Sequence, residues 1–596
     1  MEVQYTLSMP QPSTHYFHVR LDVSGLTPGT ATLKMAAWTP GSYLIREYAR
    51  NVEEVGATAG GKAVPVIKQT KNTWLVSHGK ASEISVFYRV YANELAVRNA
   101  YLDAGHGYLN GAAVFLWVKG QEEAPARLRV DLGQTGFSQV VTALHEWKPS
   151  AGKPGYKAID ALNPGSDGPG VRLFHIANLD ELIDSPVLIG NPRLMEFQAS
   201  GVPHRVAFQG PGNMNEERIR ADFTRIATTA AGVFGHHPCD RYTFLVHNLA
   251  SGGGGLEHAH SSSLQTSWST YDTESSYQNF LGLVAHEYFH LWNVKRLRPR
   301  PLGPFDYENE NYTRLLWFAE GFTSYYDDFI LFRSGITTKE RFFDVVASNL
   351  SRVETVPGMY AQNLAEASLD AWIKYYRPNE NSGNSQTDYY TKGAAMATLL
   401  DWLIIRHTEG KKNLDDLMKG MYRDYYLRKN TAFSEEDLEN ELVAILGPGG
   451  KTFLRDYIYD VKRPDWASVL SDFGFRLVDR NAGSGMLTAG FRLQSSGGKI
   501  VVQSIPSTGP AWTSGIHVGD EILAIGDSRL ESPDLHALLT NRKTGEKIQV
   551  LYARSGQVMA TEITLQPETA KSYKLEPIDK ASARAEMLRK KWLRLE

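Results

Sequence analysis

Hydrophobic and polar residues alternate near the N-terminus. In HYFHVRLDV, Phe17, Val19, Leu21 and Val23 alternate with His18, Arg20 and Asp22, the period of two expected of a half-buried strand. EISVFYRVY repeats it with Ile84, Val86, Tyr88 and Val90. The pairs Pro40-Gly41 and Gly60-Gly61 supply turns between such runs. The pattern predicts an N-terminal antiparallel β domain over residues 1–170.

The period then changes. In NEERIRADFTRIATTAAGVFG, Ile219, Phe223, Ile226, Ala230 and Phe234 fall on one helical face, and Gly235 supplies a stop. A strand, YTFLVH, is expected at 242–247, and further helices at 312–334, 338–356, 391–407 and 434–446. Residues 171–465 therefore read as an α+β domain. From 466 to 569 short strands are split by Gly and Pro around the helix-like SPDLHALLTNRK. The charged tail 570–596 contains ASARAEMLRKKWLRL, expected as a solvated surface helix.

With 596 residues the chain is too long for one core. Its net charge of −3 leaves no basic excess to neutralise phosphates, so a nucleic-acid partner is not expected. The single cysteine, Cys239, excludes an intrachain disulfide and a Cys-rich zinc module. Any metal must be held by His, Asp and Glu. No apolar run is long enough to span a membrane, and MEVQYTLSMPQPSTHYF lacks the basic start and apolar stretch of a signal peptide. The compartment, periplasmic or cytoplasmic, is left open.

LGLVAHEYFHLWNVKR carries the chemistry. A helix turns about 100° per residue, so positions four apart share a face and His286 and His290 can reach one ion. Leu281, Val284, Ala285, Tyr288, Phe289 and Trp292 make this a deeply packed helix that would hold ligands rigidly. A catalytic zinc ion usually takes three protein ligands and a water. Glu320, among Trp317, Phe318 and Phe322 in TRLLWFAEGFTSYY, is a carboxylate costly to bury alone, and a metal would remove that cost. Glu287, next to His286, projects near the metal and can move protons.

HEYFH followed by WFAEGFTSYY resembles the gluzincins, zinc (Zn2+) peptidases with a glutamate as third ligand. GGLEH, Gly254 to His258, is similar to the edge strand of their aminopeptidase branch, whose glutamate holds the substrate's free amine. YTKGA, Tyr390 to Ala394, resembles the Tyr-x-Lys-Gly motif whose tyrosine stabilises the oxyanion. Together with WTPGSYLIREY and a PDZ-like C-terminal region, the chain resembles the glycyl aminopeptidase family over nearly all its length.

The resemblance implies a thermolysin-like α+β catalytic domain between the β domain and a PDZ-like β domain. It implies His286, His290 and Glu320 as metal ligands, Glu287 and Tyr390 as catalytic groups, and Gly254, Gly255, Glu257 and His258 in substrate binding. The implied partner is a peptide with a free N-terminus, cut after a small residue such as Gly or Ala. Two departures stand out: a long gap between His290 and Glu320, which suggests an inserted loop, and His258 where the family has asparagine. His260 reads as a pocket group, and His236 and His237 as surface residues.

In the PDZ-like region a buried strand, Glu521 to Ile525, follows a Gly-Asp turn. This region can accept a peptide as an added strand or act only in cis as a cap. It lies outside the span 257–390 that holds every proposed catalytic residue. Two alternatives remain open: an endopeptidase on the same site, and a peptide-binding scaffold whose protease domain is inactive.

Overall fold

The computed structural model describes residues 1–147 and 170–595. The chain divides into two compact units, Met1–Tyr312 and Thr313–Glu596. The part of the expected β domain at 148–169 lies outside the described residues.

The first unit opens with an eight-stranded sheet. Tyr16–Ser24 pairs antiparallel with both Glu2–Ser8 and Glu83–Tyr91, placing Leu21 opposite Tyr5 and Val86. The alternating apolar positions form its buried face with Leu33, Trp74 and Leu128. One pair departs from the antiparallel expectation: Glu2–Ser8 runs parallel to Ala126–Asp131. More than a hundred residues connect these strands, so no hairpin dictates their relative direction.

A five-stranded mixed sheet follows, ordered Arg193–Ala199, Val202–Gln209, Tyr242–Leu249, Ser261–Ser267, Gly254–Glu257. Gly254–Glu257 is its edge strand, antiparallel to Ser261–Ser267. The helices Glu216–Phe234 and Glu274–Phe289 cover one face, where Phe244 meets Phe223 and Tyr288. On the other face Ala207 and Leu245 pack against Tyr108, Val141 and Leu188.

The second unit is helical, with Leu316–Arg333, Lys339–Thr355 and Thr391–His407 at its centre. A β domain is inserted into it. Phe475–Asp479 and Tyr573–Pro577 form an antiparallel ribbon. Between them lies a six-stranded sheet with its own core of Phe491, Val502, Ile522 and Val550. The chain then returns to the helical part. The tail is not the solvated helix its charge suggested. In Ala583–Leu593 the residues Ala585, Leu588 and Trp592 are spaced to share a face, and all are buried. Trp592 is 0% exposed against Trp402, Phe343 and Phe475. Arg594 then bonds Asp401 at 2.9 Å and Asp415 at 3.4 Å. Among the described residues no helix is long and apolar enough to cross a membrane.

Candidate active site

The helix Glu274–Phe289 is capped by Thr273, whose side chain accepts from the Ser276 amide. It ends at His290, whose amide donates to the His286 carbonyl. The two imidazoles lie 4.7 Å apart between centroids and nearly perpendicular. His290 is 1% exposed, and its Nδ1 lies 2.9 Å from the Asn293 carbonyl oxygen. A carbonyl only accepts, so the proton sits on Nδ1 and Nε2 is the nitrogen that carries the lone pair.

Tyr288 points to the opposite side of the helix. Its hydroxyl is 2.8 Å from His204 Nε2 and 2.8 Å from His237 Nε2. His237 is thus half-buried and bonded to the motif helix, not a surface residue. Burial pushes both of these histidines down to about 4.

The edge strand crosses directly over the Glu287 carboxylate. A Cβ at Gly255 would overlap the Glu287 carboxylate, so only glycine leaves room for it. Glu257, at the end of this strand, is 5% exposed. Its carboxylate, that of Glu287 and a His290 ring nitrogen all lie within 4.8 Å of one another. From the other side Gly41, at φ +82°, closes on Glu257: a Cβ there would come within 2.6 Å of the carboxylate. The sequence marked Pro40-Gly41 only as a turn. Its closeness to Glu257 is a long-range contact that no local pattern announces.

His258 is buried, with Nδ1 3.0 Å from Asp184. Lys295 and the Ala259 amide, each at 2.8 Å, complete the Asp184 cluster. Burial would raise the Asp184 carboxyl, but Lys295 and His258 hold it well below the usual carboxylate range. A cavity of about 310 Å³ adjoins, lined by Glu257, Gly41, Asp180, Asp184, Lys295 and Arg298 among others. His260 also lines it and is pushed down to about 4 by burial.

In the second unit Glu320 is 2% exposed, on a helix whose Trp317, Phe318 and Phe322 are fully buried. Tyr390 is half-buried and precedes Thr391–His407. The Asp388 carboxylate accepts the Tyr390 and Thr391 amides and so fixes this helix start. Burial, then the nearby Glu320 charge, raises the Tyr390 phenol. The helices that carry Glu320 and Tyr390 cross at Gly321 and Gly393, where an added Cβ on Gly393 would come within 2.8 Å of the Gly321 Cα. Lys392 is buried over the Tyr360 ring, donates to the Met359 carbonyl, and is pushed down to about 8 by burial. Lys392 and Gly393 of YTKGA thus pack the helices that position the tyrosine.

Three family models match: a Peptidase M61 N-terminal domain over residues 4–191, M61 glycyl aminopeptidase over 279–396, and a PDZ domain over 473–565. A solved structure described as an aminopeptidase N family protein, from Idiomarina loihiensis, is 30% identical with a TM-score of 0.90. It aligns over 99% of this chain and 100% of its own. A Serine protease Do-like HtrA of Lactococcus lactis subsp. cremoris is 31% identical over 99 residues, 16% of this chain and 24% of that one. The chain spans about a quarter of the length of the curated relatives it matches. The fold and its matches place the protein among the peptidases. The chain belongs to the M61 glycyl aminopeptidase family.

Proposed function

We propose that this protein is a zinc aminopeptidase that releases small N-terminal residues, glycine or alanine, from peptides. The observation that carries the reading is the position of Glu257, within 4.8 Å of Glu287 and His290. The α-ammonium of a peptide is two bonds from the first scissile carbonyl. Its anchor must therefore stand this close to the group that handles protons. An endopeptidase substrate would continue through that place and set a backbone carbonyl against a buried carboxylate, a costly pairing. The adjoining cavity is lined by charged groups together with Tyr43, Leu302, Phe305 and Tyr307; the preference for Gly or Ala rests on the match to the glycyl aminopeptidase family.

His286, His290 and Glu320 are the proposed ligands. Two imidazoles and a carboxylate make a donor set used by catalytic zinc. The Asn293 carbonyl holds the proton on His290 Nδ1, which makes Nε2 the basic, ligating nitrogen. Glu320 is a carboxylate buried on a helix of aromatic residues, where a cation would offset its desolvation. Zinc, when bound, polarises the scissile carbonyl and lowers the pKa of a water to about 7. Glu287 takes the proton of the attacking water and delivers it to the leaving amine. Glu257 holds the α-ammonium, with His258 supporting it through the Asp184 cluster. Tyr390 donates a hydrogen bond to the carbonyl oxygen as charge develops, a contribution typically of about 3–4 kcal/mol.

The test is metal analysis combined with hydrolysis of free-amine and N-acetylated Gly and Ala amides by wild type and Glu257→Gln. A charge-assisted hydrogen bond of about 1.5–3 kcal/mol implies a roughly ten- to hundredfold fall in kcat/KM for free-amine substrates. Zinc content and the poor turnover of acetylated substrates should not change. Undiminished cleavage of free-amine substrates by the variant would remove Glu257 as the anchor and favour endopeptidase action.

A further inference from the structure

Away from this site, on the other face of the five-stranded sheet, lies a second histidine pair. His247, on Tyr242–Leu249, is 1% exposed, and neither ring nitrogen has a hydrogen-bond partner among the described residues. His106, in the loop between the strands Ala100–Leu102 and Gly107–Leu109, is also buried, and its Nε2 has no partner among the described residues. The rings lie 5.6 Å apart between centroids. Gln209, aligned with His247 on the neighbouring strand, adds a buried Oε1 without a partner. Aligned residues on adjacent strands share a face of the sheet, with Cβ atoms about 5 Å apart. Four unsatisfied polar atoms in one interior neighbourhood call for a ligand.

We propose that His106 and His247 hold a second, non-catalytic transition-metal ion of the imidazole-binding class, with Gln209 beside them as a further oxygen donor. The tautomers suit the role. His106 Nδ1 is 3.5 Å from the Asp103 carboxylate, and the Tyr101 hydroxyl donates to that carboxylate at 2.8 Å. A carboxylate behind one nitrogen keeps the proton there and leaves the Nε2 lone pair for the metal, an arrangement that raises ligand basicity. Burial lowers both histidines, His247 to about 3, so both rings are neutral and no proton must leave for an ion to bind. Two imidazoles sharing an ion at zinc–nitrogen distances of about 2.0–2.1 Å place their centroids roughly 5 Å apart. The observed spacing is near that, and near the 4.7 Å between His286 and His290. Asp103 supplies negative charge to offset the ion. The pair sits beside the contact of Tyr108 with Leu245, where an ion would tie the hairpin 100–109 to the sheet that carries Glu257.

The experiment is equilibrium dialysis of the chelator-stripped full chain against Zn2+, with bound metal counted. Wild type should bind two equivalents. His106→Gln and His247→Gln should each bind one, with zinc-dependent turnover of Ala amide retained. Asp103→Asn should weaken the second equivalent about 10- to 100-fold. His290→Gln should lose the other equivalent, which separates the two proposals. A single equivalent in wild type, lost in His290→Gln, would leave the catalytic reading intact and overturn this one, an ordered water then filling the pair. Two equivalents persisting in both histidine variants would overturn it equally. If those variants fail to fold, the wild-type count and the Asp103→Asn affinity decide.

Discussion

Gly255 shows how much of the site depends on a missing side chain. Its backbone needs no positive φ, so alanine is conformationally allowed, but the new Cβ would land on the Glu287 carboxylate. That carboxylate is the end of a flexible side chain and can swing away. The cost should therefore fall on catalysis and not on folding. Gly255→Ala should keep its zinc and its denaturation midpoint and lose roughly a hundredfold in kcat, the scale of an ångström-level misplacement of a reacting group. Normal kcat would show that Glu287 does not act from this position. The two proposed acidic roles separate in the same way. Glu287→Gln should keep zinc and lose turnover, whereas Glu320→Gln should lose zinc. Stoichiometric zinc and near-normal activity in Glu320→Gln would remove it from the ligand set.

At the scale of elements, the crossing of Leu316–Arg333 with Thr391–His407 matters most, because each helix carries a proposed site residue beside its crossing glycine. At Gly393 an added Cβ meets the Gly321 Cα at 2.8 Å and the Trp317 carbonyl oxygen at 2.9 Å. Both obstacles are backbone, so the helices themselves must part. Gly393→Ala should destabilise by about 1–3 kcal/mol, as overpacking does, and lower kcat at the same time, read from urea midpoints and Ala amide kinetics. A variant with wild-type midpoint would contradict this close approach. The helices themselves were legible in sequence. The 391–407 helix begins and ends where its apolar spacing predicts, and His286 and His290 share a face because helical periodicity requires it. Strands with clean alternation, 16–24 and 83–91, were equally plain. What sequence hid are contacts between distant segments. Gly41 against Glu257, Gly255 over Glu287 and Gly321 against Gly393 are each a glycine with an ordinary local reading. The C-terminal helix was misread because Arg584, Arg589, Lys590 and Lys591 dominate its composition, while its buried face is only Ala585, Leu588 and Trp592 with Leu593.

At the scale of the molecule, the return of the chain after the PDZ-like domain decides how that domain can be removed. A protein ending near residue 465 would lose Trp592 and Arg594, leaving Asp401, which is fully buried, without its arginine. Removing one partner of a buried ion pair costs about 3–5 kcal/mol, so that truncation should unfold. Excision through the ribbon should not. Asp479 and Tyr573 face each other in its register, and the Arg480 amide donates to the Ser572 carbonyl at 2.8 Å. A short turn joining 480 to 572 preserves the ribbon and the C-terminal helix. The excised domain also gives up one specific tie: the Asn384 side chain accepts the Ser507 amide at 2.7 Å and donates to the Ile505 carbonyl at 2.9 Å. Asn384 lies six residues before Tyr390. Between them, however, the Thr387 hydroxyl donates its one proton into a cluster of the Gly358, Met359 and Gln362 carbonyls, and Asp388 caps the tyrosine helix. These anchors should hold Tyr390 after the PDZ contact is gone. The excised protein should therefore fold, keep stoichiometric zinc and turn over Ala amide within about tenfold of wild type, a loss of no more than about 1.4 kcal/mol. Zinc retained with kcat reduced a hundredfold or more would mean that the PDZ-like domain positions the tyrosine segment in cis through Asn384. Asn384→Leu in the full-length chain should then reproduce that loss.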